Sequence, residues 1–493
     1  MSPNQVFRLD SGPRNPIAER VLSDPDLTYD VAGDAIVIAV KAEMLVSKSV
    51  REASPGLNRE LSKVARNCGT LASIPTGRPT KGGERIDEAS AATVYQPGEG
   101  GPADDVEIWR LTASDLNSID EARRLRVLAE DKQVKTCRGP SLVLPAVSPN
   151  HVAILSNAEA GGCPAGPPHP APPAHEPFVE PPGAGPTASV TVLDSGYIYT
   201  EPPHHTLNER VTLLDGQWLD TATIPASWEP DRPDGLDTDG DGRLDGISGH
   251  GTFIAGLIAH ICPSAELTVV GLRNQEVEIT GLNPGEQSGL FGTEIAIARA
   301  MLLHSDTDVI QCGFAFPTLD DYPSLPFAAA MQVLTGPDAP REGIAVVAPA
   351  GNEESCRRYW PAALPDVIGV ASTNRRRNAR AWFSNWGQWC NCCTRGEDVF
   401  STFIYWDGPI EGEPLTDIEH FSGWARWDGT SFAAPKVSAA IACVVAGSGG
   451  AILPIDAWDL LVSGGVEGVE VSALTDYTLN PFPGVTLPNL HIM

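Results

Sequence analysis

Positive charge is scarce in this sequence: 34 lysine and arginine residues stand against 63 aspartate and glutamate residues, and the formal net charge is −29. Phosphate groups repel so acidic a chain, which argues against a nucleic-acid partner and against an anionic membrane surface. Long apolar runs are lacking too, since no stretch approaches about 18 consecutive apolar residues and the N-terminus has no signal-peptide pattern. These absences predict a soluble cytoplasmic protein, with export by an unrecognised route left open.

A metal-binding cysteine pattern is also absent. Three of the ten cysteines cluster at Cys390, Cys392 and Cys393, but this spacing is not typical of zinc sites and no histidine follows at ligand distance. Buried free thiols are therefore favoured over disulfides, and disulfides over a metal. Export would favour disulfides.

One segment divides the chain. Residues 161–187 hold ten prolines in 27 positions, a composition that opposes helix and interior strand and predicts an extended, exposed linker. We therefore assign residues 1–150 to a small α+β domain, 151–187 to a Pro-rich linker and 188–493 to a larger domain.

The small domain alternates between strand-like and helix-like patterns. Strands are expected at 34–40, 105–111 and 141–144, and helices at 58–68 and 118–130. This mixed order is typical of an α+β domain.

The larger domain alternates short apolar strands with helices, which predicts an α/β fold with a doubly wound, mainly parallel sheet and helices on both faces. The expected strands are 188–193, 267–271, 309–315, 344–348 and 367–370. The expected helices are 251–260, 293–304 and 431–446. Functional residues in such folds gather at the carboxyl ends of the strands.

Four polar residues of this domain lie at strand ends or helix starts. Asp194 ends a strand, and His250 lies between two glycines where a helix begins. Asn352 follows a strand, and Ser431 begins an alanine-rich helix whose Pro435 is expected in the first turn, where proline is tolerated. Each alone is explained as a turn, loop or helix cap. Together they supply the carboxylate, base, oxyanion donor and nucleophile that acyl transfer requires.

Five motifs in this order resemble those of the subtilisin-like serine proteases, or subtilases. They are VTVLDSG at 190–196, GHGTFIAG at 249–256, APAGN at 348–352, AWFSNWG at 381–387 and DGTSFAAPKVSAA at 428–440. The resemblance covers the region after the linker. It implies a subtilisin-like fold and a serine endopeptidase that acts on peptides or proteins through an acyl-enzyme, with no cofactor required for the chemistry.

The resemblance also implies a role for each matching residue. Asp194 orients His250, which acts as base and then acid for Ser431. Asn352 and the backbone N–H of Ser431 hold the oxyanion. Six further residues are expected to line the peptide cleft: Gly313, Phe314, Ala315, Ala348, Pro349 and Ala350.

Two positions depart from the family pattern. Phe253 stands where the family usually has a second histidine, and Gly313-Phe314-Ala315 replaces the usual Ser-Leu-Gly. Phe314 and Phe316 are therefore expected to narrow or reshape the substrate pocket. This altered strand favours limited processing of particular peptides or proteins over general digestion.

Two alternatives to an uninhibited protease stay open. A catalytically silent subtilase fold would act as a peptide-binding module. A self-processing zymogen would carry residues 1–150 as a propeptide-like or regulatory domain that inhibits the enzyme intramolecularly.

An acidic stretch precedes His250. Asp237, Asp239, Asp241 and Asp245 repeat the front of an EF-hand-type calcium loop, but Ser248 stands where a bidentate glutamate is expected. A structural calcium ion and a solvated acidic turn are both left open.

Overall fold

The structure is a computed structural model, and the residues it describes are 27–32, 35–47, 69–74, 108–113, 117–128, 144–145, 147–154, 165–172, 186–198, 207, 211–213, 242–272, 290–337, 339–411, 413–474 and 486–492. Their strands in chain order are β1 Leu27–Ala32, β2 Ala35–Ser47, β3 Gly69–Ile74, β4 Ile108–Ala113, β5 Val147–Ile154, β6 His169–Pro170, β7 Ala188–Asp194, β8 Val211–Leu213, β9 Ala265–Gly271, β10 Leu290–Thr293, β11 Val309–Cys312, β12 Ala345–Pro349, β13 Ile368–Thr373, β14 Cys392–Arg395, β15 Val399–Gly408, β16 Glu419–Trp427, β17 Glu470–Ala473 and β18 Pro488–His491. Their helices are α1 Ser118–Leu128, α2 His250–Ile261, α3 Glu294–Leu303, α4 Leu325–Thr335, α5 Thr430–Gly447 and α6 Pro454–Val462.

A long sheet forms the centre of the larger domain. Its order among the described strands is β17-β18-β14-β13-β12-β11-β7-β9-β8. All neighbours in it run parallel except β17 and β18. The predicted parallel α/β architecture is confirmed, and the carboxyl ends of β7, β11 and β12 lie side by side.

Helices cover both faces of this sheet because its strands are apolar on both sides. Val190 and Val192 of β7 pack in one core cluster with Phe253 of α2 and Phe432 of α5. Leu193 points to the other face, where the cluster contains residues of α3 and α4. The sheet is therefore doubly wound.

Helix α5 runs through the first of these clusters. By length and composition it could cross a membrane, but 83% of it is buried inside the protein, as in a core helix. It begins at Thr430, so Pro435 lies in its second turn. The prediction that this proline lies in the first turn is therefore wrong. Because proline has no N–H, the carbonyl of Ser431 receives no bond from the position four residues on.

The N-terminal sheet shares a strand with the larger domain. Its order is β10-β5-β2-β4-β3, with β1 also paired to β2. The pairing of β5 with β10 is antiparallel. The domain boundary expected at residue 150 therefore falls inside β5, and residues 290–293 complete a sheet that we had assigned to residues 1–150 alone.

Side chains reinforce this junction. His151 and Glu294 are buried, and the backbone N–H and the Nδ1 of His151 lie 3.1 and 3.0 Å from the same Glu294 oxygen. The N–H of Leu319 donates to Nε2 of His151 at 3.0 Å. Nearby, Arg123 and Arg126 of α1 each lie 3.2 Å from a carboxylate oxygen of Asp320. The two parts of the chain form one packed unit here.

Two elements expected in the N-terminal region are not among the described strands and helices. Of the strand expected at 141–144, residues 141–143 lie outside the described residues and Leu144 is in no strand, whereas a strand that was not expected lies at Val147–Ile154. It carries polar residues, Ser148, Asn150 and His151, which are buried by neighbouring elements. The expected helix at 58–68 lies outside the described residues.

Part of the Pro-rich segment is paired and buried. β6 pairs antiparallel with β16, joining Pro170 to Ala425 and His169 to Arg426. Ala165 and Ala171 are 7% and 5% exposed. This part is therefore an edge strand and not the fully exposed linker expected from its composition, since an edge strand tolerates proline.

The cysteines are mostly thiols. Cys262, Cys312, Cys390, Cys392, Cys393 and Cys443 are free, and all but Cys443 are buried. Burial raises the pKa of the Cys390, Cys392 and Cys393 thiols well above its ordinary value, so these groups are unreactive. Cys356 is disulfide-bonded.

Candidate active site

Asp194 and His250 form a buried pair. Asp194 is the last residue of β7, and both side chains are 0% exposed. Nδ1 of His250 lies 2.9 Å from each carboxylate oxygen of Asp194, so this nitrogen carries the proton and donates it to the carboxylate. The N–H of Ser195 also donates to Asp194, at 2.6 Å. The pair fixes the tautomer that leaves Nε2 able to accept a proton.

The glycines beside His250 are explained by close contacts. A Cβ on Gly249 would lie 2.6 Å from the ring of Phe403, and one on Gly251 would lie 1.9 Å from the carbonyl oxygen of Gly196. Gly249 also has a φ of 80°, which favours glycine. Both positions therefore exclude a side chain, and this allows α2 to start directly against the end of β7.

The imidazole of His250 is enclosed by aromatic rings. Trp427 lies edge-on at 5.6 Å between ring centroids, and Phe432 lies at 5.2 Å. Nε2 is buried and makes no hydrogen bond within the described residues. Phe253, the position where the family usually has histidine, packs 4.5 Å from Phe432. The aromatic side chains hold the ring while its second nitrogen stays available.

Ser431 lies in the first turn of α5 and is 0% exposed. Its Oγ is 3.4 Å from the carbonyl oxygen of Gly313. Gly313 in turn lies against Asp194, since a Cβ there would fall 1.5 Å from a carboxylate oxygen. Gly313 therefore contacts both Ser431 and Asp194, at the edge of the sheet where β7 and β11 end.

One contact that acyl transfer needs is not formed. Nε2 of His250 accepts no hydrogen bond in the described structure, so the serine hydroxyl is not bonded to it. Hydrogen bonds between nucleophile and base are often long in free enzymes and shorten when substrate binds. A small rotation of the Ser431 side chain away from Gly313 is the change we expect on binding.

The side chain of Asn352 is oriented by Thr430. Its Oδ1 accepts from the N–H and the hydroxyl of Thr430, both at 2.9 Å. The N–H of Gly351 donates to the same hydroxyl at 3.0 Å. Because Oδ1 must face these donors, the Nδ2 group points away from Thr430. Asn352 thereby has a fixed N–H donor beside the start of α5.

A second asparagine holds the backbone around Asn352. Oδ1 of Asn385 accepts from the N–H groups of Glu353 and Ser355 at 2.9 and 3.0 Å. Its Nδ2 donates to the carbonyl of Ala350 at 3.0 Å and to the Glu353 carboxyl at 2.8 Å. Asn385 belongs to the motif AWFSNWG, which the sequence singled out without giving any of its residues a role.

The carboxyl group of Glu353 is perturbed. Burial raises its pKa to about 8, although hydrogen bonds from Asn385 and Tyr359 act in the opposite direction. The group is therefore largely neutral at pH 7. Adjacent to Asn352, it is a titratable group that sequence reasoning missed, because nothing in the sequence distinguishes it from an exposed loop glutamate.

The six residues expected to line the cleft have mostly buried side chains. Phe314 is 1% exposed, and its ring lies 6.2 Å from that of Phe327 in a core cluster. Phe316 packs on the same ring at 5.6 Å. Ala348 and Ala350 are fully buried. Both phenylalanine side chains therefore lie in the core, and the expectation that they narrow a substrate pocket is wrong. Any contact of the six residues with substrate would involve their backbone, and their role in the cleft stays a prediction.

The proposed calcium ligands are only partly described. Asp237, Asp239 and Asp241 lie outside the described residues. Asp245 is 6% exposed in the turn before α2, where its carbonyl accepts from the N–H of Ser248 at 2.9 Å. No group of three or more His, Cys, Asp or Glu in the described ranges is placed to hold a metal ion. Calcium binding stays a prediction.

The larger domain matches a known family by sequence. Residues 185–453, more than half of the chain, match the family model described as the Subtilase family.

Two curated relatives share this region. The chain is 27% identical over 266 residues to a thermophilic serine proteinase of Bacillus sp. strain AK1, covering 53% of this chain and 52% of that protein. It is 29% identical over 187 residues to subtilisin-like protease 3 of Pseudogymnoascus destructans, covering 37% and 40%. The chain thus spans about half the length, or less, of these relatives.

Solved structures resemble the fold at lower identity. A cold adapted subtilisin-like serine proteinase has 19% identity and a TM-score of 0.40, covering 62% of this chain and 88% of that one. Fervidolysin from Fervidobacterium pennivorans, described as a keratinolytic enzyme related to subtilisin, has 15% identity and a TM-score of 0.48, covering 92% and 61%. At these values the likeness carries no argument about substrate or mechanism.

Proposed function

Because the chain belongs to the subtilase family, we propose that it is a serine endopeptidase in which Ser431, His250 and Asp194 hydrolyse peptide bonds. The observation that carries this proposal is the buried His250, bonded through Nδ1 to both oxygens of Asp194 with Nε2 left open. A base prepared in this way, beside a serine at the start of a helix, is what an activated nucleophile requires.

The steps follow from these atoms. Oγ of Ser431 attacks the scissile carbonyl carbon while its proton passes to Nε2 of His250, and Asp194 stabilises the imidazolium. The carbonyl oxygen becomes an oxyanion, held by Nδ2 of Asn352 and the backbone N–H of Ser431. The C–N bond then breaks as His250 gives its proton to the leaving amine. Water repeats the sequence on the acyl-enzyme and releases Ser431.

We propose that the substrates are peptides or proteins and that cleavage is limited to particular ones. The edge of β16, which leads directly to Ser431, is already occupied: the N–H of Ala165 donates to the carbonyl of Asp428 at 2.9 Å, and Pro170 pairs with Ala425. A strand edge that is already paired within the chain is not open to every polypeptide, which suits selective cleavage. Inhibition by the N-terminal region is a related proposal, supported by the docking of β5 on β10.

Labelling with a fluorophosphonate tests the proposal. We expect one label per chain by intact mass, lost in Ser431→Ala and in His250→Ala. Ser463→Ala, which changes an exposed serine at the end of α6, is expected to label normally. An unlabelled wild-type chain that still binds peptides would contradict the enzyme and support a peptide-binding module instead.

Self-processing is tested in the same proteins. A self-cleaving enzyme is expected to lose intact mass through a cut between about residues 150 and 190, while Ser431→Ala stays full length. Equal fragmentation of both proteins would assign the cut to a contaminating protease.

A further inference from the structure

We propose that Asn385 is a positioning residue for the oxyanion donor, acting through the backbone of the loop that carries Asn352. The inference rests on the proposed function, since it assigns Asn385 a part in the same reaction. Asn385 is fully buried in the segment between β13 and β14 and touches neither Asp194 nor His250 in any described hydrogen bond.

The bonds of Asn385 bracket Asn352 on both sides. Before Asn352, the Asn385 side chain donates to the carbonyl of Ala350 at 3.0 Å and its backbone N–H donates to the carbonyl of Gly351 at 2.9 Å. After Asn352, it accepts from the N–H groups of Glu353 and Ser355 at 2.9 and 3.0 Å. One residue therefore satisfies four backbone groups of a six-residue turn, 350–355.

These bonds need an asparagine. A carboxamide offers two N–H donors and an oxygen with two acceptor positions. Asn385 uses both donors, to Ala350 and Glu353, and both acceptor positions, for Glu353 and Ser355. An aspartate would keep the acceptors, lose both donors and bring a charge to the Glu353 carboxyl. An alanine would leave buried backbone groups without partners.

The packing also leaves little freedom. A Cβ on Gly351 would lie 2.4 Å from Nδ2 of Asn385, so the backbone at Gly351 is directly against the amide. Gly351 has a φ of 96°, a conformation that side chains rarely adopt. The tight turn is therefore shaped around the Asn385 side chain.

Thr430 and Asn385 have different effects on Asn352. Thr430 fixes the rotation of the Asn352 side chain through Oδ1. Asn385 fixes the backbone from which that side chain projects. A donor stabilises an oxyanion only when it is already at hydrogen-bond distance from the place where the charge develops, so both constraints are needed.

The kinetic expectation follows from this role. In Asn385→Ala we expect kcat on a peptide substrate to fall about 10- to 100-fold, bounded by the 10²- to 10³-fold that loss of a whole oxyanion donor costs. KM is expected to change less than about threefold, because a misplaced donor weakens the transition state more than the ground state. Asn385→Asp is a second variant that keeps the acceptor oxygens and tests the donor bonds.

A double-variant cycle separates positioning from a structural role. If Asn385 acts through Asn352, then adding Asn385→Ala to Asn352→Ala should lower kcat by less than about twofold further, because the donor is already gone. A structural residue would instead multiply the two losses, and that result would overturn the proposal. A raised KM with an unchanged kcat would overturn it as well.

The matched control is Asn391→Ala. Asn391 also bonds the backbone through its side chain, accepting from the N–H of Gly369 at 2.8 Å, but has no described bond to the turn at 350–355. It should leave kcat within about twofold of wild type. The folded fraction measured by circular dichroism corrects each kcat, because a variant with a weakened oxyanion donor also labels more slowly. If the wild type itself is not labelled, the proposed function fails, whereas a labelled wild type with an unchanged Asn385→Asp variant refutes only the positioning role.

Discussion

His151 of the N-terminal sheet and Glu294 of the larger domain meet at 3.0 Å between Nδ1 and Oε1, and both side chains are buried. Glu294 is the first residue of α3, directly after β10, the strand of the larger domain that pairs in the N-terminal sheet. The contact therefore couples the packing of the N-terminal region to the core of the catalytic domain.

Removal of the His151 imidazole should lower the free energy of unfolding. His151→Leu removes the Nδ1 contact to the buried Glu294 carboxyl and leaves only the backbone N–H of residue 151 on that oxygen, and we expect the free energy of unfolding to fall by about 1–3 kcal/mol. Urea unfolding followed by tryptophan fluorescence measures this. Glu294→Gln, which keeps an oxygen facing His151 without the charge, should cost less. Equal losses in the two variants would show that the charge plays no part.

Gly313 is expected to tolerate no side chain. A Cβ would lie 1.5 Å from an oxygen of Asp194, so Gly313→Ala must displace either the carboxylate or its own backbone. We expect kcat/KM to fall at least about 100-fold, as misplacement by about 1 Å does elsewhere. Gly447→Ala, at the end of α5 where a Cβ would meet nothing within 4 Å, is the control and should stay within about threefold. A Gly313→Ala enzyme of normal activity would contradict the geometry.

The pKa of Glu353, about 8, predicts a pH effect on activity. Above that pH the carboxyl ionises beside Asn352, and its negative charge opposes the developing oxyanion. The kcat/KM of the wild type should therefore decline above pH 8, relative to Glu353→Gln, in which no charge appears. Parallel profiles of the two enzymes from pH 7 to 9.5 would contradict the assignment.

The same group predicts a pH effect on stability. Its pKa rises from 4.5 to about 8 on folding, so the folded chain holds a proton that the unfolded chain has lost between these values. Stability due to Glu353 is complete below pH 4.5 and is lost as the pH rises through about 8. The Tm of Glu353→Gln minus that of the wild type should therefore increase as the pH rises from 4.5 to about 8.

The contact of Ala165 with Asp428 predicts how the Pro-rich segment affects access. Ala165→Pro removes the N–H that donates to the Asp428 carbonyl. We expect KM for a long polypeptide substrate to fall by about threefold at most, because β6 stays paired with β16 at Pro170 and only the Ala165 end of the segment is released. Hydrolysis of a small ester should not change. Ala165→Gly keeps the N–H and is the control; if it behaves like Ala165→Pro, the hydrogen bond is not the cause.

The sequence predicted eight elements of the larger domain, each of which has a local signal, but it did not predict β8, β10, β14 to β18, α4 or α6. The helix expected at 431–446 is Thr430–Gly447, and the strand expected at 188–193 is Ala188–Asp194. An apolar run followed by glycine or asparagine predicts the bounds of a strand or helix from the local sequence alone. The convergence of Asp194, His250 and Ser431 was expected from a resemblance, and the roles assigned to them remain predictions.

Elements that depend on distant partners were not predicted. Ser148, Asn150 and His151 made the strand at 147–154 look polar, since only contacts such as that with Glu294 make their burial favourable. β6 was missed for the opposite reason: the prolines in and around it suggest exposure, while pairing with β16 buries Ala165 and Ala171 on either side. The cytoplasmic location and the calcium site stay predictions.

The pairing of β5 with β10 has a consequence for synthesis on the ribosome. Until Leu290 has been translated and released, the nascent N-terminal sheet lacks the strand that covers β5 and exposes a bare edge to other chains. The N-terminal sheet therefore cannot be completed before residues of the larger domain have been synthesised. A chaperone that shields strand edges should therefore increase the yield of the full-length protein more than that of the isolated larger domain.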